Sequence, residues 1–146
     1  MHRYLVYTDG SCSVKDRTGG YAWLIVNESG DEELGGGHEL DTTISRMELM
    51  AAISALTYIM VAGSDEDSVV LIYSDSEYVV KGFMDKTRAR NKNVDLWNVL
   101  DNLSSWFELV HMEHVKGHAG HVDNEAVDKL AGEFRQAAVQ ELSGNL

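Results

Sequence analysis

The chain has 146 residues, 44% hydrophobic and 25% charged, enough for one domain with a buried core. One cysteine excludes an internal disulfide framework, no apolar run approaches the roughly 18 residues that span a bilayer, and the stretch after His2 and Arg3 is too short for a signal-peptide core, so a cytoplasmic protein with no membrane partner is expected. The net charge of −12 argues against a broadly basic surface, but a local basic patch acts over a Debye length of about 8 Å and is not excluded.

Residues 2–8 read as a strand that ends at the turn signal Asp9-Gly10-Ser11. Gly19-Gly20 opens a second strand through Val26, and a hairpin turn at Asn27–Gly30 leads to a third, ending near Leu40. Thr42 and Thr43 are N-cap candidates for a helix from Ile44 to Ala62, closed by Gly63. The unbroken run Val69-Val70-Leu71-Ile72-Tyr73 predicts a strand covered on both faces. Ser74-Asp75-Ser76-Glu77 reads as a capping box for a short helix to Phe83. Residues 86–92 form a basic loop, Val94–Phe107 a helix, Leu109–Val115 a strand, and Lys116–Gly120 a glycine-bracketed loop. A last helix runs from Val122 to Leu142. Three strands followed by strand–helix alternation imply a mixed sheet flanked by helices.

Asp9 and Asp75 each stand at the end of a strand, and in such a sheet strands one and four can lie side by side with their ends at one edge. Glu48 falls on the stripe Ile44, Glu48, Ala52, Ala55, Ile59, the spacing of a core-facing helix face. A carboxylate there needs compensation, and a cation shared with Asp9 and Asp75 would give it. Asp128, beside the apolar face of the last helix, could complete the cluster. Each residue also has a plainer reading. Asp75 suits a helix N-terminus and Asp9 a turn, Glu48 could pair with Arg46 or reach solvent, and Asp128 could be a surface charge.

Four segments carry these carboxylates: YTDGSC (7–12), TTISRMELMAAISAL (42–56), IYSDSEYVVKGF (72–83) and VKGHAGHVDNEAVDKLA (115–131). In this order they resemble the signature blocks of type 1 ribonuclease H, and NVDLW (93–97) resembles a further block. The resemblance implies an α/β fold with a five-stranded mixed sheet, three strands antiparallel and the rest parallel, and one catalytic domain over residues 1–146. It implies a monomeric enzyme that hydrolyses the RNA strand of RNA–DNA hybrids, leaving 5′-phosphate and 3′-hydroxyl ends. Asp9, Glu48, Asp75 and Asp128 would hold two Mg²⁺ ions, which Mn²⁺ can replace, and His118 would be a catalytic-loop histidine. Hard oxygen donors suit such ions, and two of them about 3.5–4 Å apart can activate water and stabilise a leaving oxygen.

The resemblance also implies that the hybrid is contacted by Gly10, Ser11, Cys12, Thr43 and Ser45, with Thr43 at a DNA-strand phosphate. Ile44 and Ser45 stand where bacterial relatives often have two asparagines, and the first turn reads Ser13-Val14-Lys15-Asp16 instead of Gly-Asn-Pro-Gly. Relatives often carry a basic helical handle before NVDLW, but only Met84–Lys92 fills that interval here. Lys86, Arg88, Arg90 and Lys92 would replace it as a phosphate-binding patch, or would merely balance Asp85 and Asp95. Trp97 packs near the DNA strand or anchors its own helix in the core. His118 and His121 are too isolated for a zinc site. Two rivals remain: another metal-dependent nuclease or strand-transferase of the same fold, and a catalytically silent hybrid-binding module.

Overall fold

A computed structural model describes residues 2–116 and 122–144. The elements are β1 (Arg3–Cys12), β2 (Gly19–Asn27), β3 (Glu32–Glu39), α1 (Ile44–Val61), β4 (Val69–Ser74), α2 (Glu77–Met84), α3 (Val94–Trp106), β5 (Leu109–His114) and α4 (Val122–Leu142). They form one five-stranded sheet in the order β3-β2-β1-β4-β5. β3, β2 and β1 are antiparallel; β1, β4 and β5 are parallel. The expected order of elements and the mixed sheet are both present.

The period-2 alternation of the strands sorts the core into two layers. Val6, Trp23, Ile25, Val70 and Ile72 face α1, whose buried side chains include Leu49, Ala52, Leu56 and Ile59, with α2 and α3 packed beside it toward β5. The alternate residues Ala22 and Leu24 face Val127 and Ala131 of α4, with Tyr7 and Phe134 packed against them. α1 is long and apolar enough to cross a membrane by length and composition, so the expectation of no such run needs correcting. Nine of its side chains are buried in the protein instead, among them Leu49, Ala52, Leu56 and Ile59 against the sheet.

Three local expectations also change. β1 does not stop at Asp9 but continues to Cys12, because Gly10, Ser11 and Cys12 pair with Tyr21, Gly20 and Gly19. The turn comes later, closed by hydrogen bonds from Ser13 N to Thr18 O (2.8 Å) and Arg17 N to Ser13 O (2.8 Å). The cap of α2 is Ser76, whose Oγ accepts from Val79 N, while Glu77 pairs with Lys81. Ser74 Oγ accepts from Ser76 N one step earlier, so the expected Ser–Glu box is absent. Ile44, placed on the buried stripe, is 49% exposed at the start of α1, while Glu48, Ala52, Ala55 and Ile59 are buried. Between α2 and α3 there is a loop and no additional helix.

Candidate active site

The parallel ladder between β1 and β4 ends on the pair Thr8–Ser74. Asp9 and Asp75 are the next residue on each strand, so both carboxyls leave the sheet at the same edge. Glu48 reaches that edge from the second turn of α1, which is anchored by Thr43 at its N-cap, the Thr43 hydroxyl accepting from Arg46 N at 3.2 Å. One carboxylate oxygen from each of Asp9, Glu48 and Asp75 lies within 4.8 Å of the others. The Gly10 N–H donates to both Asp9 Oδ1 (2.9 Å) and Glu48 Oε1 (3.1 Å), tying the two acids together.

The remaining oxygen of each, Asp9 Oδ2 and Glu48 Oε2, is buried with no amide or hydroxyl donor, only neighbouring carboxyls around it. A buried carboxylate without compensation is strongly disfavoured, and two side by side are more so. The carboxyl of Asp9 is accordingly pushed far above the usual carboxylate range, first by burial, then by the charge of Glu48, with Asp128 and Asp75 adding. Glu48 is also raised, by burial and then by Asp75, against the lowering effect of its hydrogen bonds to Asp9 and Gly10. Asp128 sits exposed on α4 with its carboxyl against that of Asp9, close enough to share a hydrogen bond when one of them is protonated. Asp9, Glu48 and Asp75 therefore form one cluster, with Asp128 at its exposed side against Asp9. A divalent cation matches their hard oxygen donors and satisfies the buried oxygens at once. His118 and His121 lie outside the described residues.

Of the expected contact residues, Ser11 and Cys12 continue β1 past the acids, with Cys12 Sγ against the carbonyls of Thr42 (3.6 Å) and Ser13 (3.7 Å). Ser45 is half-buried in the first turn of α1. The basic loop divides. Arg90 is held by its own fold: Nε and Nη2 donate to Gly82 O at 3.2 and 2.9 Å, Nη1 pairs with Asp101, and the guanidinium lies 4.3 Å over the Trp97 ring. Lys86 lies over Phe83 and 3.9 Å from Asp101. The counter-charge of Lys86 and Arg90 is thus Asp101, while the charge of Arg88 acts on Asp85 as expected and Asp95 is taken by Arg46. Asp85 accepts from Thr87, and Asp95 makes a two-pronged pair with Arg46 at 2.8 and 3.0 Å. That pair holds Asp95 down to about 2 and also rules out Arg46 as the partner of Glu48. Trp97 is 2% exposed and donates to Tyr78 Oη (3.1 Å), which fits the core-anchor reading. Arg88 and Lys92 are without an ion pair among the described residues, and with Trp97 and Tyr78 they line a cavity of about 240 Å³. Arg90→Ala should cost roughly 2 kcal/mol of stability through lost hydrogen bonds and stacking. Arg88→Ala should leave thermal unfolding unchanged, and melting curves of the two variants check the division.

Two side chains not singled out in the sequence also reach the site. The His114 Nε2 lies 3.2 Å from the Asp75 carbonyl, and Arg135 of α4 donates through Nε to Ser11 Oγ at 3.1 Å. Neither belongs to a motif, and each partner is remote in sequence.

Fold and site define a protein of the ribonuclease H-like fold with a buried carboxylate cluster suited to cations. The sequence matches the RNase H family over residues 1–136. A ribonuclease H of Trichodesmium erythraeum is 42% identical over 139 residues, covering 86% of this chain and 84% of that protein. The N-terminal RNase H domain of Rv2228c from Mycobacterium tuberculosis superposes with a TM-score of 0.81 at 19% identity, covering 97% of this chain and 99% of that one. LC11-RNase H1, solved in complex with an RNA/DNA hybrid, superposes with a TM-score of 0.79 at 19% identity, covering 93% and 99%. The chain belongs to the ribonuclease H family and is a ribonuclease.

Proposed function

We propose that the chain hydrolyses the RNA strand of RNA–DNA hybrids internally, with Mg²⁺ held by Asp9, Glu48, Asp75 and Asp128, and acts as a monomer in the cytoplasm. The observation that carries this reading is the pair of buried oxygens with no amide or hydroxyl donor, Asp9 Oδ2 and Glu48 Oε2, beside Asp75. They have the chemistry of a cation site and are a poor design for any purely structural role. Support for the substrate comes from the family and from the hybrid bound by the similarly folded LC11-RNase H1.

When bound, two such ions supply Lewis-acid neutralisation of the phosphodiester and lower the pKa of the attacking water. The chain's own contribution is placement. The Gly10 N–H keeps Asp9 and Glu48 facing one another, and the β1–β4 ladder sets the Asp9–Asp75 separation. The extended backbone of Gly10–Cys12 runs on from the acids, where N–H and C=O groups can read a 2′-hydroxyl. Thr43 is positioned for a phosphate at the N-terminus of α1. Arg88 and Lys92 are the cations of the basic loop left free to meet the second strand. His118, four residues before Val122 in the sequence, would relay protons.

The test is a labelled RNA–DNA hybrid, duplex RNA and duplex DNA, each incubated with Mg²⁺, Mn²⁺ or EDTA. We expect cleavage of the RNA strand of the hybrid alone, with 5′-phosphate and 3′-hydroxyl ends, stopped by EDTA. Cleavage that survives EDTA, or products ending in 2′,3′-cyclic phosphates, would overturn the reading. Tight hybrid binding without cleavage would favour the silent binding module.

A further inference from the structure

Resting on the hybrid-cleaving reading above, we propose that Arg135 is a substrate-contact residue whose guanidinium grips a phosphate of the strand being cut, one or two nucleotides from the scissile bond. Arg135 follows Asp128 by seven residues on α4, which places both on one face of the helix about 10 Å apart. Asp128 meets Asp9, and Arg135 meets Ser11, two residues further along the same strand and so roughly 7 Å on. The helix carries an acid to the metal site and, two turns later, a cation to the strand that extends from it.

The guanidinium is held in a manner suited to a ligand. Its Nε is engaged by the Ser11 hydroxyl, which fixes the plane and leaves both Nη groups. Arg17, Arg46 and Arg90 each pair with a carboxylate, whereas Arg135, like the exposed Arg3 and Arg88, has no ion pair among the described residues. In a chain with 24 acidic and 12 basic residues, Arg135 differs from the other arginines without an ion pair in being half-buried, beside the active site. The platform beneath it is rigid. A Cβ on Gly20 would fall 2.4 Å from Arg135 N and 2.3 Å from Ala131 O, so the α4 backbone rests directly on β2 at this point. A phosphodiester is the anion this ribonuclease's substrate offers there, and the guanidinium fork matches two of its oxygens.

The experiment is steady-state cleavage of a labelled RNA–DNA hybrid in Mg²⁺ by wild type, Arg135→Ala and Arg135→Lys, between about 50 and 200 mM salt. Arg135→Ala should raise KM by about tenfold or less and flatten the salt dependence by about one unit of slope, with kcat at saturating hybrid within about twofold. Arg135→Lys should restore the slope but only part of the affinity, because a point charge lacks the fork. A neutral methylphosphonate placed near the scissile bond in the cut strand should weaken wild type and leave Arg135→Ala unaffected. Unchanged KM and salt slope in Arg135→Ala would overturn the proposal. So would a fall in Tm and kcat at wild-type slope, which marks a tie between α4 and β1 and nothing more. Wild-type protein that cuts no hybrid refutes the substrate reading itself, and this proposal with it, before any variant is compared.

Discussion

Asp9→Asn should abolish hydrolysis while leaving the protein as stable as wild type or more so. Asp9 stands at the centre of the cluster, sharing the Gly10 N–H with Glu48 and facing Asp75 and Asp128. Removing its charge takes away a ligand of the proposed cation site, and turnover should fall on the order of 10³-fold or more, the scale seen when a member of a catalytic unit is lost. Without metal the same charge is a liability, because Asp9 is 2% exposed and its neighbours are acids. Its folded-state pKa, and that of Glu48, are raised above the ordinary carboxylate range, so the folded protein binds more protons than the unfolded chain once pH exceeds about 4. Stability in EDTA should therefore fall as pH rises from about 5 to 8. The fall should be smaller in Asp9→Asn and smaller again in wild type with Mg²⁺. Thermal melts with and without Mg²⁺ across that range, beside a cleavage assay, check both halves. Marked destabilisation with residual activity would make Asp9 a structural residue.

The acids were legible for a physical reason. Asp9 and Asp75 lie next to strong strand signals, and a meander followed by strand–helix alternation allows a sheet with β1 beside β4, the pairing found. Glu48 stood out because a carboxylate on an apolar helical stripe demands a partner. What escaped the sequence depends on non-local contacts. Gly10-Ser11 looks like a turn because small residues usually mark one, yet here they keep β1 extended beneath α1. Arg90 looks like its loop neighbours until Gly82, Trp97 and Asp101 are seen to surround it. Arg135 and Ser11 are 124 residues apart, and no periodicity connects them.

Gly10→Ala should damage both fold and activity, and it isolates the contact that aims Glu48. Gly10 lies in extended β1 and has no unusual backbone angle, so alanine suits its conformation; the obstacle is space. An added Cβ would fall 2.7 Å from Glu48 N and 2.8 Å from Met47 C, which are backbone atoms of α1 that cannot rotate away. The helix must lift from the strand, at roughly 1–3 kcal/mol, the usual cost of overpacking. For a chain of this size that corresponds to a fall in Tm of roughly 3–10 °C. Lifting α1 also draws Glu48 Oε1 from the Gly10 N–H and from Asp9, and a displacement of about 1 Å at a reacting centre can cost about 10²-fold in rate. The activity loss should exceed what the remaining folded fraction explains, and higher Mg²⁺ should recover part of it. Gly132→Ala is the control, since that α4 glycine has nothing within 4 Å of an added Cβ and should gain a few tenths to about 1 kcal/mol. Full activity in Gly10→Ala would show that the approach of α1 to β1 does not set the position of Glu48.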